Sequence, residues 1–122
     1  MRPIVIALLL ALGAAVPARA SFLGFLETKT DEVGGVDGLF KAQDAVVSPD
    51  GLKLYAVSEG DNAIVTFARD PAIGTLAFQE ILRDGVGGVD GLASAVALAL
   101  SPDGDNVYVS SSGDGAIAVF AG

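Results

Sequence analysis

From Ala42 onward the chain alternates short apolar runs with tight clusters of Gly, Pro, Asp, Asn and Ser. That rhythm belongs to antiparallel β-strands joined by turns. The run from Ala42 to Val47 ends at Ser48-Pro49-Asp50-Gly51. Proline at the second position presets φ for a type I turn, and glycine at the fourth tolerates the exit geometry. A second strand follows over Lys53 to Ser58, and Asp61-Asn62 supplies a two-residue hairpin turn of residues that tolerate positive φ. The third strand is expected over Ala63 to Ala68. A longer turn, Arg69 to Gly74, then leads to a fourth over Thr75 to Leu82, alternating as Leu76, Phe78, Glu80.

The pattern then repeats. Val33-Gly34-Gly35-Val36-Asp37-Gly38-Leu39 recurs as Val86-Gly87-Gly88-Val89-Asp90-Gly91-Leu92, an offset of 53 residues. Ser48-Pro49-Asp50-Gly51 recurs at the same offset as Ser101-Pro102-Asp103-Gly104, as do Tyr55 at Tyr108 and Phe67 at Phe120. No gap is needed, and 20 of the 37 pairs between residues 33–69 and 86–122 are identical. A period near 50 with strand character marks a β-propeller-type repeat, in which each unit is a four-stranded antiparallel blade.

The run Ala93 to Leu100 is Ala, Val and Leu apart from Ser94. A strand apolar on both faces must be covered on both sides, a condition that a blade between two neighbours meets. A buried helix is the rival reading; the glycine-rich loop before the run and the Ser-Pro-Asp-Gly turn after it favour a strand.

The expected fold class is therefore all-β, with two tandem four-stranded antiparallel blades over residues 21–122, repeats 33–85 and 86–122. Shifting Thr75–Leu82 back by 53 lands on Phe22–Lys29, where Leu23, Phe25 and Glu27 match Leu76, Phe78 and Glu80. Residues 22–29 are thus expected to be an orphan fourth strand, giving the order d, abcd, abc. Two blades do not close a ring, since propellers use about four to eight. Two readings follow: missing blades of a longer chain, or a homo-oligomer in which orphan strands exchange head to tail.

Residues 1–20 differ in kind. Met1-Arg2-Pro3 is a short positive start, Ile4 to Val16 an apolar run, and Ala18-Arg19-Ala20 a small-x-small end. These are the three parts of a secretory signal peptide, with the cut expected after Ala20. About 13 apolar residues fall short of the roughly 20 of a spanning helix. The expected location is secreted or periplasmic, with no membrane in the mature form.

Charge narrows the partners. Without Arg2 and Arg19 the chain has 5 basic residues against 15 acidic, a net of −10, which argues against nucleic acid and anionic lipid. With no cysteine there is no disulfide framework or thiol nucleophile, and with no histidine the commonest general base is missing. A metal site would have to be an oxygen site of the calcium or magnesium kind.

Val46-Val47-Ser48-Pro49-Asp50-Gly51, then Leu54-Tyr55-Ala56-Val57-Ser58, then Ile64-Val65-Thr66-Phe67 resemble the YVTN and lactonase-type β-propeller repeats. The second copy, with Ser101-Pro102-Asp103-Gly104 and Val107-Tyr108-Val109-Ser110, is similar. The resemblance implies a propeller fold and, in some members, hydrolysis of sugar lactones of the 6-phosphogluconolactonase type. It has seven blades in those enzymes and implies a histidine that this sequence lacks, so no catalytic residue carries over.

Candidate sites are loop and channel carboxylates. Asp37 and Asp90 lie in the repeated glycine-rich loops, which resemble calcium-binding β-roll repeats only in part; their plain role is a tight crossover with Asp side chains capping the turn. Asp44 interrupts an apolar first strand where the second copy has Ala97, so it either contacts a ligand in the channel or is merely solvated there. No metal ligand set and no cofactor is assigned, calcium being the one weak option. The main functional expectation is a non-catalytic binding or scaffold module; the alternative is a fragment of a lactone hydrolase.

Overall fold

Turn chemistry sets where each strand stops. In a computed structural model, which describes residues 22–122, Ser48 Oγ accepts the Lys53 N–H at 3.0 Å and donates to Asp50 at 2.6 Å, and Gly51 takes φ 79°. Ser101, Asp103 and Gly104 repeat the arrangement. Positive φ falls at Asn62 (52°) and Gly115 (59°), as the two-residue turns require. The expected leader and its cut after Ala20 lie outside the described residues.

Between these turns the strands are β1 (Ala42–Val47), β2 (Lys53–Ser58), β3 (Ala63–Arg69) and β4 (Leu76–Arg83), then β5 (Ala95–Leu100), β6 (Asn106–Ser111) and β7 (Ala116–Ala121). They form a four-stranded sheet in the order β1-β2-β3-β4 and a three-stranded sheet in the order β5-β6-β7, all antiparallel. The repeat extends to irregularities: the register slips between Ala42 and Asp44 in one copy and between Ala95 and Ala97 in the other. β5 begins two residues later than its apolar run, because Ser94 takes φ 56° and gives its N–H to the Asn62 side chain at 2.8 Å. No helix forms there; the strand reading of that run holds.

Strand alternation sorts the first sheet into two apolar faces. Tyr55, Val57 and Ile64 point to the second sheet and pack on its Val107 and Val109 and on Leu92 of the loop that leads into it. Fully burying one such side chain contributes about 1.5–3 kcal/mol, so this cluster is what joins the two blades. Leu54, Val65 and Phe67 point the other way, where Val36 and Phe78 cover them; Phe67 meets Phe78 edge-on with ring centres 6.1 Å apart.

The lead-in segment departs from expectation. Residues 22–29 match β4 in sequence yet form no ladder. β4 is a strand because β3 lies beside it; among the described residues no third-strand edge lies beside 22–29. The segment instead runs along the outer face of the first sheet, tied where Leu76 N–H donates to Glu27 at 2.7 Å. Phe22 and Leu23 are almost fully exposed.

Candidate functional site

Each blade has two ends. The Ser-Pro-Asp-Gly turns and the β3–β4 turn crowd one, and the other carries the β2–β3 turns with the crossovers at 30–41 and 84–94. The crossovers are glycine-rich because the backbone there turns through positive φ repeatedly, at Gly34, Gly35 and Gly38 and again at Gly87, Gly88 and Gly91. Gly38 also has no room for a side chain, since a Cβ would overlap Ile81 and stand 2.6 Å from Val65.

Aspartates organise this end. Asp31 accepts the N–H groups of Gly38 and Leu39, both at 3.0 Å, and Asp61 accepts that of Phe40 at 3.1 Å. In the second copy Asp84 accepts from Leu92 at 3.1 Å and Asp114 from Ala93 at 3.0 Å. The capping role expected for aspartates of this loop is therefore performed chiefly by Asp31, Asp61 and their repeats.

The predicted carboxylates complete two clusters. Asp37 joins Asp31 and Asp61, with one oxygen from each within 4.8 Å of the others, and Asp90 joins Asp84 and Asp114 in the same way. The copies differ in what neutralises them. Arg83, at the end of β4, gives a hydrogen-bonded ion pair to Asp37 at 2.6 Å and lies 3.7 Å from Asp61. The Asp37 hydrogen bond raises the guanidinium pKa further above its ordinary value, against a smaller opposing effect of burial. The Asp84, Asp90 and Asp114 cluster faces no such cation among the described residues; Asp90 accepts the Gly91 N–H at 2.8 Å.

Asp44 is neither a free channel residue nor part of these clusters. Its carboxylate accepts the N–H of Ala45 at 2.9 Å and, from the next blade, that of Leu98 at 3.0 Å. It thus bridges β1 and β5, and Ala97 leaves the second blade without an equivalent. The hydroxyls of Ser58 and Ser111, again 53 apart, are buried with no partner among the described residues.

Five residues of this end were not named as site residues from the sequence: Asp31, Asp61, Arg83, Asp84 and Asp114. The signal was present for four of them, because Asp31 with Asp84 and Asp61 with Asp114 obey the 53-residue offset. Arg83 has no counterpart, as the same shift backward gives Thr30.

The sequence profile of the lactonase, seven-bladed β-propeller family matches residues 42–122, which takes in all seven strands of both blades. The chain belongs to this lactonase family. Among solved structures it is similar to a proposed 6-phosphogluconolactonase of Bacteroides uniformis, at 26% identity and TM-score 0.59, over 71% of this chain and 24% of that one. A second, from Bacteroides fragilis and of the same proposed activity, has the same fold at 22% identity and TM-score 0.55, over 66% of this chain and 21% of that one. The chain thus spans less than a quarter of the length of either. No curated protein matches it.

The two sheets here correspond to blades of a lactonase propeller, and the crossover end carries more carboxylates than the end bearing Asp50, Asp70, Asp103 and Asp105. Loops 30–41, 59–62, 84–94 and 112–115 hold eight carboxylates and one lysine, Lys41, with Arg83 engaged at their edge.

Proposed function

We propose that this chain supplies blades of a sugar-lactone hydrolase, and that the substrate meets the crossover end bearing Asp37 and Asp90. The observation that carries this reading is the lactonase profile match over both blades. The scaffold role has no comparable observation in its favour.

The charge of that end narrows the substrate to a neutral, polyhydroxylated lactone. Carboxylates accept hydrogen bonds from sugar hydroxyls, whereas a phosphate ester would be repelled by two carboxylate clusters of which Arg83 answers only one. Hydrolysis adds water to the ring carbonyl, breaks the acyl C–O bond and returns a proton to the ring oxygen. A carboxylate near the carbonyl takes the proton from water, a general-base role. Asp90 is the group proposed for it, being free of the guanidinium that holds Asp37. Export through the leader expected at residues 1–20 belongs to the same proposal.

Turnover of D-glucono-1,5-lactone and of its 6-phosphate, followed by acid release at constant pH, tests this reading on the propeller that carries these blades. The expected result is acceleration above the spontaneous rate, larger for the neutral lactone and lost in Asp90→Asn. Failure to accelerate either lactone overturns the hydrolase reading; preference for the phosphate ester overturns the substrate class.

A further inference from the structure

Six aspartates are followed directly by glycine: Asp37, Asp50, Asp84, Asp90, Asp103 and Asp114. Such a pair closes readily into a cyclic imide, because glycine puts no Cβ in the way of its own nitrogen. In a folded protein closure needs the glycine nitrogen beside the aspartate carboxyl carbon, with neither group held elsewhere.

Five of the six pairs fail that condition. The Gly38 N–H donates to Asp31 at 3.0 Å, and the Asp37 carboxylate is held by Arg83 at 2.6 Å. The Gly51 and Gly104 N–H groups donate to the carbonyls of Ser48 and Ser101, both at 2.9 Å, while Asp50 and Asp103 accept from Leu52 and Asp105. The Gly85 N–H donates to the Val89 carbonyl at 2.8 Å, and Asp84 accepts from Leu92. Asp114 is drawn away to the Ala93 N–H at 3.0 Å.

Asp90-Gly91 is the exception. The Gly91 N–H donates to the carboxylate of Asp90 itself at 2.8 Å, which sets the nitrogen beside the carbon it would attack. The residues from Val33 to Leu39 are identical to those from Val86 to Leu92, so the difference from Asp37 lies in the fold. Asp90 is exposed, and water reaches it. Glycine is also demanded at 91, where φ is 92° and a Cβ would stand 3.2 Å from that of Ala118. Asp44 makes a like contact to the Ala45 N–H at 2.9 Å, but its other oxygen is fixed by Leu98 and Ala45 carries a Cβ.

We propose that Asp90-Gly91 is a site of spontaneous isoaspartate formation. The Gly91 nitrogen bonds to Asp90 Cγ in its carboxylic acid form, the Cγ–O bond breaks, and the oxygen leaves as water with the carboxyl and amide protons. Water then adds to either imide carbonyl and breaks its C–N bond. Opening at Cγ restores aspartate; opening at the main-chain carbonyl leaves isoaspartate, with the chain running through Cγ. The crossover gains a methylene, and the carboxylate is shortened by one, away from Asp84 and Asp114. A decline of turnover with age rests on the hydrolase reading; the modification itself does not, and the test reads it directly.

The propeller that carries these blades is aged in mildly acidic buffer, folded in one sample and unfolded in urea in another. Electron-capture fragmentation of its peptides then measures isoaspartate at each of the six positions. The expected result is accumulation at Asp90 several-fold faster than at Asp37 in the folded protein, and equal rates at the two in urea. Equal rates in the folded protein, or a lead at any of the other five positions, overturn the proposal. So does an unchanged Asp90 over a period in which the unfolded chain isomerises.

Discussion

Replacing Gly38 by alanine tests whether the crossover is held by steric necessity at one point or merely by flexible glycines throughout. Gly38 has φ 96°, which costs an L-residue about 1–2 kcal/mol. Its missing side chain faces Ile81 and Val65, with Val65 Cγ2 only 2.6 Å from the position of a Cβ. Ile81 is half-buried and meets the Cβ with its side-chain tip, but Val65 is β-branched and fully buried and does not move cheaply; overpacking of this kind costs about a further 1–3 kcal/mol. The expected total for Gly38→Ala is about 2–5 kcal/mol. Gly35 is the internal control: φ is 83°, and nothing lies within 4 Å of a Cβ there. Gly35→Ala should therefore cost about 1–2 kcal/mol, the backbone contribution alone. The chain has no tryptophan, so urea unfolding of both variants is followed by far-ultraviolet circular dichroism, with the midpoint shift compared at constant slope. Equal losses in the two variants would refute the steric argument. Gly38→Ala is expected also to loosen the N–H contacts from Gly38 and Leu39 to Asp31 and so to displace Asp37 from Arg83.

Three further outcomes follow from the contacts described. Asp44→Ala removes the acceptor that ties Leu98 to the first blade and should cost about 1–3 kcal/mol, whereas Ala97→Asp, at the exposed counterpart, should be close to neutral; unfolding midpoints decide between them. Ser58→Ala removes a buried hydroxyl without a partner and should leave stability unchanged or raise it by up to about 1 kcal/mol, against the loss expected for an ordinary buried serine. Asp50 and Asp103 have pKa values held below the ordinary one, Asp50 chiefly by the Ser48 hydroxyl and Asp103 chiefly by the Asp105 N–H. A depressed folded-state pKa gives stability that is present above the unfolded value and lost as pH falls through the folded one. Acid unfolding should thus begin below about pH 4, and the double variant Asp50→Asn with Asp103→Asn should flatten that part of the stability curve.

The strands were legible because the signals that make them are short-range. Proline and glycine at fixed turn positions, and alternation between them, place β1 to β4 within a residue or so of expectation. The one shifted start, at β5, has a long-range cause: Asn62, 32 residues away, draws the Ser94 N–H into a turn. Asp44 shows the same limit. Its sequence context suggested a channel carboxylate, and the partner that gives it a structural task, Leu98, is 54 residues distant.

The sequence by itself determined the repeat, its 53-residue register, the four-strand blade and membership of the lactonase family, all of which rest on local pattern and its recurrence. Tertiary structure alone decided which aspartates meet. Asp31, Asp37 and Asp61 converge only once β2 and β3 have folded back beside the crossover, and Arg83 reaches them only from the end of the strand added last to that sheet. It also decided the state of residues 22–29. Their side chains repeat those of β4, but a strand exists only where another edge offers it hydrogen bonds, and among the described residues none lies beside them.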